Sequence, residues 1–203
     1  MSTTTTPQDD DLRAEGTEGF QVGEKKTIDE YQQLDANDES LRKWKESLGL
    51  GSGNSLSNPQ DPRKVIILSL GLEVPGRSDI VIDLTKAGAL EQLNKSPFTI
   101  KEGATFRMKA RFRVQHQILS GMKYIQVVSR MGVKNKMQEM IGSYSPNTTD
   151  KPEYEKKFES ETAPSGIIGR GHYEAVSRFV DDDDQTHLQF RWSFDIKKDW
   201  GAE

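Results

Sequence analysis

SGMKYIQ, residues 120–126, opens with the turn pair Ser120-Gly121, runs into an apolar stretch, and lies between two strand-like runs. Residues 105–114 before it alternate strictly. Phe106, Met108, Ala110, Phe112 and Val114 face one way, and Arg107, Lys109, Arg111 and Arg113 the other. Residues 188–196 repeat the pattern, with Leu188, Phe190, Trp192, Phe194 and Ile196 opposed by Gln189, Arg191, Ser193 and Asp195. Residues 65–74, 80–84, 124–128, 140–144 and 173–180 are further strand candidates. Turn signals separate them at Pro75-Gly76, Glu102-Gly103, Ser120-Gly121, Met131-Gly132 and the aspartate run 181–184. Seven or more short strands with repeated turns and few helices predict an all-β, immunoglobulin-like β-sandwich over residues 65–203. Cysteine is absent, so hydrophobic packing must hold the sheets together without a disulfide.

The chain of 203 residues has room for one domain plus an arm, and only 33% of it is hydrophobic. The deficit falls on residues 1–64, which are acidic and poor in aromatics and read as a flexible regulatory arm. Residues 49–64 read as a Gly/Ser/Pro-rich linker. Two short helical patterns interrupt the arm. The first, near 27–34, opens at Thr27 with Glu30 as a capping box and aligns Ile28, Tyr31 and Leu34. The second, near 38–48, starts at Asn37 or Asp38, aligns Leu41, Trp44 and Leu48, and stops at Gly49. Each is shorter than the roughly 12–15 residues a helix needs to persist alone. Their apolar faces call for a partner surface, either the chain's own sandwich or another protein.

The net charge of −4 gives no nucleic-acid signal. No apolar run is long enough to span a bilayer, and MSTTTTPQDDD has neither the basic start nor the apolar core of a signal peptide, so a soluble cytosolic protein is expected. Without cysteine there is no thiol nucleophile or thiolate metal site. His116, His172 and His187 show no ligand spacing, which favours structural or surface roles over a metal. Residues 166–171, GIIGRG, lack the lysine and spacing of a phosphate-binding loop and read as a turn. The aspartates 181–184 lack the alternating ligands and glycine of a calcium loop and read as a solvated hairpin tip, able to dock an arginine. The basic ladder 107–113 reads as a solvated strand face, with attraction to anionic lipid as the alternative. Aromatics at 98, 106, 112, 190, 192 and 194 are core by default, although a sandwich splayed at one end could admit an apolar ligand between its sheets.

Several blocks together resemble the Rho GDP-dissociation inhibitor family. They are LDANDESLRKWKESLG (34–49), FRVQHQILSGMKYIQ (112–126), GSYSP (142–146), APSGIIGRGHY (163–173), SRFVDDDD (177–184) and IKKDW (196–200). They follow in family order over about residues 27–203. The resemblance implies a non-enzymatic binding protein without a cofactor. Its partners would be GDP-bound, prenylated Rho/Rac/Cdc42-type small GTPases, bound as a 1:1 heterodimer. It would be cytoplasmic, with transient association at membranes. The geranylgeranyl chain of the GTPase would lie between the sheets, with Leu72, Phe98, Phe106, Ile118, Ile168, Ala175, Phe190 and Trp192 as pocket residues. The arm would lie against the GTPase switch regions through Asp38, Ser40 and Trp44. Asp182 and Asp183 would face a basic switch residue, and the clamp would inhibit GDP release. The segment before Thr27 shows little resemblance and is assigned no contacts. The competing readings are a general carrier of lipidated proteins, indifferent to nucleotide, and a sandwich enzyme.

Overall fold

The period-two segments pair into two facing sheets in a computed structural model that describes residues 9–15, 30, 38–40, 43 and 53–200. The strands are β1 (Val65–Glu73), β2 (Ile80–Asp83), β3 (Phe98–Lys101), β4 (Thr105–Val114), β5 (Leu119–Arg130), β6 (Val133–Tyr144), β7 (Tyr154–Thr162), β8 (Gly171–Val180) and β9 (Thr186–Lys197). One sheet runs β2-β1-β4-β7 and the other β3-β9-β8-β5-β6. Every pair is antiparallel except β3–β9. Two short helices connect strands, α1 (Ala89–Lys95) before β3 and α2 (Gly166–Gly169) before β8. The expected immunoglobulin-like sandwich is the architecture observed, its strands running from Val65 to Lys197.

Two strands escaped the sequence pattern. In β7 the inward positions Tyr154 and Phe158 are separated by the half-buried Lys156, which pairs with Glu139 at 3.2 Å. A charged residue on the inner face hides the alternation. β3 is only four residues long and lies at a sheet edge, where period two has no room to register. The Ser120-Gly121 turn is corrected. Both residues lie inside β5, at a register shift against β6, and the reversal occurs earlier, between Val114 and Leu119. Gly121 takes φ 54°, which a bulge needs and a glycine supplies without strain.

The core divides along the strands. Toward the β4–β5 turn the sandwich is filled by aromatics. Phe112 stacks edge-on with Tyr144 at 5.0 Å, and Tyr124 meets Phe158 at 4.8 Å and Phe179 at 5.0 Å. Large rings at these spacings leave no room between the sheets. Toward the opposite end the sheets part, and Phe106, Tyr173, Trp192 and Phe194 border the space between them.

The outer face of the five-stranded sheet is not bare. Asp9–Leu12 forms a turn of 3-10 helix that drops Leu12 onto Ile125, Val127, Val176 and Val180, leaving it 1% exposed. Lys134 pairs with Asp11 at 2.6 Å and Lys136 with Glu15 at 3.1 Å. The Glu15 amide donates to Gln138 Oε1 at 2.8 Å, and Gln138 Nε2 returns a bond to the Glu15 carbonyl. Residues 9–15, to which the resemblance assigned no contacts, thus pack on the sandwich. A single leucine among acidic and polar residues carries no periodicity by which this contact could be read in advance. The later linker is also held: Leu56 N donates to the Asn147 carbonyl at 3.0 Å, and Ser55 bridges to Thr148.

Burying a leucine contributes about 1.5–3 kcal/mol. Leu12→Asp is expected to detach the strap. Limited proteolysis should then cleave within residues 9–15 much faster than in the unmodified chain, and the Glu15 amide should lose its protection against hydrogen exchange.

Candidate functional site

Where the sheets part lies a cavity of about 480 Å³, within the range of about 300–1,000 Å³ usual for ligand pockets. Leu72 from β1 and Phe106 and Met108 from β4 form one wall. Gln126, Val128 and Arg130 from β5, Tyr173 from β8 and Trp192, Phe194 and Ile196 from β9 form the other. Alternation explains the second wall: Tyr124, Gln126, Val128 and Arg130 share the inner face of β5, so the strand passes from aromatic core to cavity to mouth.

The cavity's polar atoms are tied down. Tyr124 hydroxyl donates to Gln126 Oε1 at 2.7 Å and sits 2.8 Å from Ser177 Oγ, which accepts the Trp192 indole N–H at 3.0 Å. Burial pushes the Tyr124 phenol far above its ordinary range, so it stays protonated. The network fixes the Trp192 ring and presents an apolar surface. Glu161 stands at the rim, where burial first and Glu139 second raise its carboxyl.

A second void of about 30 Å³ lies behind Leu72, Ile100, Met108 and Trp192, which it shares with the larger cavity, and reaches Phe98 and Phe190. At the mouth four large apolar residues stand in solvent. Met131 is 92% exposed, Val133 73%, Ile167 86% and Ile168 90%. The GIIGRG segment that read as a turn is the one-turn helix α2 carrying two of them.

The expected pocket residues divide. Leu72, Phe106, Ile168 and Trp192 line the larger cavity, and Phe98 and Phe190 the smaller. Ala175 is buried opposite Trp192 on β8 and lines neither. Ile118 sits in the β4–β5 turn, at the packed end of the sandwich, and lines neither cavity. Gln126, Val128 and Arg130 were missed, although extending the β5 alternation past Gln126 would have found them.

The acidic tip is at that packed end, away from the mouth, and it is not simply solvated. Asp181 is 1% exposed and accepts from Lys64 Nζ and His187 Nε2, each at 3.0 Å, and from the backbone amides of Asp183 and Gln185. Burial alone would raise its carboxyl. The hydrogen bonds from His187, Lys64 and Gln185 and the Lys64 charge outweigh burial and hold it far below the usual carboxylate range. Asp182 pairs with the buried Lys123 at 3.1 Å and packs where a β-carbon on Gly121 would overlap it. Asp183 is more exposed than Asp182 and lies 3.8 Å from Lys64. SGMKYIQ thus touches both ends of the molecule, the acidic tip through Gly121 and Lys123 and the cavity through Gln126.

In the arm, Asp38 Oδ1 accepts the Ser40 amide at 2.8 Å, as a helix N-cap does, and Lys43 pairs with Glu39 at 3.0 Å. Trp44 lies outside the described residues. The basic ladder on β4 is largely matched: Lys109 pairs with Asp79, Arg111 with Glu153, and Arg113 donates to the Pro152 carbonyl at 3.2 Å. That favours the solvated strand face. Among the described residues no cluster of three histidine, cysteine or acidic side chains could hold a metal.

A family model described as RHO protein GDP dissociation inhibitor matches residues 4–199. A Rho GDP-dissociation inhibitor of Schizosaccharomyces pombe is 49% identical, over 88% of this chain and 86% of that protein. One from Saccharomyces cerevisiae is 43% identical, over 88% and 90%. Rho GDP-dissociation inhibitor 1 of Homo sapiens is 46% identical, over 86% and 83%.

Removing one member of a buried ion cluster costs about 3–5 kcal/mol. Asp181→Asn is expected to lower unfolding free energy by about 3 kcal/mol at pH 7, read by urea denaturation. A carboxyl depressed in the folded state stabilises only while ionised. The wild-type advantage should therefore be complete above about pH 4 and shrink as pH falls below it, so that the two proteins converge.

Proposed function

The chain belongs to the Rho GDP-dissociation inhibitor family, and we propose that it holds GDP-bound, prenylated Rho-type GTPases in solution by taking their geranylgeranyl chain between its sheets. The family is one of regulatory inhibitors, not enzymes. The observation that carries the reading is the apolar cavity, open at one end of an otherwise filled sandwich. Its residues suit a branched hydrocarbon. Leu72, Phe106, Met108, Trp192 and Phe194 offer only apolar surface, and the polar Gln126, Ser177 and Tyr124 satisfy one another. A longer chain would reach the smaller void by turning Met108 or Leu72, which partition the two.

Lipid burial alone does not drive extraction. A prenyl chain gains about 0.8 kcal/mol per CH₂ on leaving water, but the bilayer already supplies that. Moving it from membrane to cavity is close to an exchange, and protein contacts decide the direction. The exposed Met131, Val133, Ile167 and Ile168 support a transient encounter with the membrane surface, because they put apolar atoms around the entrance. Asp38, Ser40 and Trp44 of the arm would lie on the switch regions, in a 1:1 complex, and restrain the opening through which nucleotide leaves. At the acidic tip, Asp183 is the better-placed carboxylate for a switch arginine, because Asp182 is more buried and held by Lys123. The general carrier would share the cavity but have no use for the arm.

Rho, Rac and Cdc42-type GTPases should each bind best when prenylated and GDP-loaded. A pull-down repeated with unprenylated and with GTP-loaded partner measures this, and indifference to the nucleotide would favour the carrier. Asp38→Ala and Asp183→Ala should each weaken extraction from vesicles about tenfold, the scale of one lost charge-assisted hydrogen bond. Binding of a geranylgeranyl peptide should persist in both. Parallel loss of extraction and peptide binding would contradict the division of roles.

A further inference from the structure

Arg130 ends β5 at the cavity mouth and is the one cationic side chain on the lining. Other cations nearby are matched: Arg170 pairs with Glu102 at 2.8 Å, Lys134 with Asp11 and Lys136 with Glu15. Among the described residues Arg130 has no carboxylate partner. Its guanidinium donates to the carbonyls of Ile168 and Arg170 and to the Tyr173 hydroxyl at 2.9 Å. It also lies 4.9 Å over the Tyr173 ring. Tyr173 in turn donates to the Gly169 carbonyl at 2.7 Å. The group is therefore fixed in place by α2 and β8. Those bonds use three of its five N–H donors and none of its charge.

We propose that Arg130 seats the terminal carboxylate of a prenylated cysteine whose lipid fills the cavity. The inference rests on the lipid-binding reading above and specifies which form of the lipidated terminus the site prefers. The chemistry of the ligand sets the geometry. In a prenylcysteine the carboxylate is a few bonds from the thioether, so a chain inserted between the sheets leaves its acid at the mouth. There it meets a half-buried, prepositioned guanidinium, the group best matched to a carboxylate. Glu161 lies on the other sheet and offers an anion no cation there. Arg130 therefore orients the head group toward β5. A carboxyl methyl ester has no charge to offer Arg130, so the site distinguishes the free acid from the ester.

The test is calorimetric titration of the full chain with S-geranylgeranyl-N-acetylcysteine and with its methyl ester, below their micelle concentrations. The wild-type chain should bind the acid about five- to tenfold more tightly than the ester, the range for one partly exposed charge-assisted contact. Arg130→Gln should erase that preference, the ratio of acid to ester affinity falling to near one while ester binding remains measurable. Arg130→Lys, which keeps the charge without the planar fork, should retain part of it. Equal wild-type affinities, or a preference that survives in Arg130→Gln, would overturn the assignment. So would loss of ester binding as large as that of the acid, since Arg130 would then only brace the mouth. Failure of the wild-type chain to bind either compound would instead overturn the cavity reading, and the inference with it.

Discussion

Burial of β5 on both faces is the constraint on which the other features hang. Its inner face carries Met122 and Tyr124 into the aromatic core and Gln126, Val128 and Arg130 along the cavity. Its outer face would expose Ile125 and Val127 if Leu12 did not cover them. A strand sealed on both sides cannot slip by one residue without moving every side chain to the wrong face. Register is therefore fixed at β5, and its neighbours β6 and β8 take theirs from it.

The two ends of the sandwich use polar groups in opposite ways. At the packed end Lys64, Asp181 and His187 are buried and mutually satisfied, and Asp182 with Lys123 repeats the device. Such clusters tie the start of β1, the bulge of β5 and the β8–β9 hairpin into one piece. At the open end the network of Tyr124, Gln126, Ser177 and Trp192 is closed on itself, so the adjoining wall is apolar although it contains polar residues. A rigid end and an open end suit a site that must hold its shape without a ligand inside.

Strand alternation made the sandwich legible in advance. Phe106 to Val114 and Leu188 to Ile196 have few other ways to be buried. The cavity was not legible, because Phe106, Trp192 and Phe112 look alike in sequence although two line a void and one is packed solid. Whether facing side chains fill the space between sheets depends on sheet separation, which no single strand encodes. Four consecutive aspartates gave the acidic tip, but not that Asp181 is inside the protein, since its partners Lys64 and His187 come from distant positions.

The Leu12 strap has a kinetic consequence. The chain is fastened to the sandwich at residues 9–15 and again where Ser55 meets Thr148, so the stretch between them starts and finishes on the same body. Under the proposed function, a partner held by its lipid would meet Asp38 and Ser40 as an intramolecular ligand. The encounter is governed by effective concentration rather than by the bulk concentration of free arms. Under that proposal, recapture after a partial release should outpace escape.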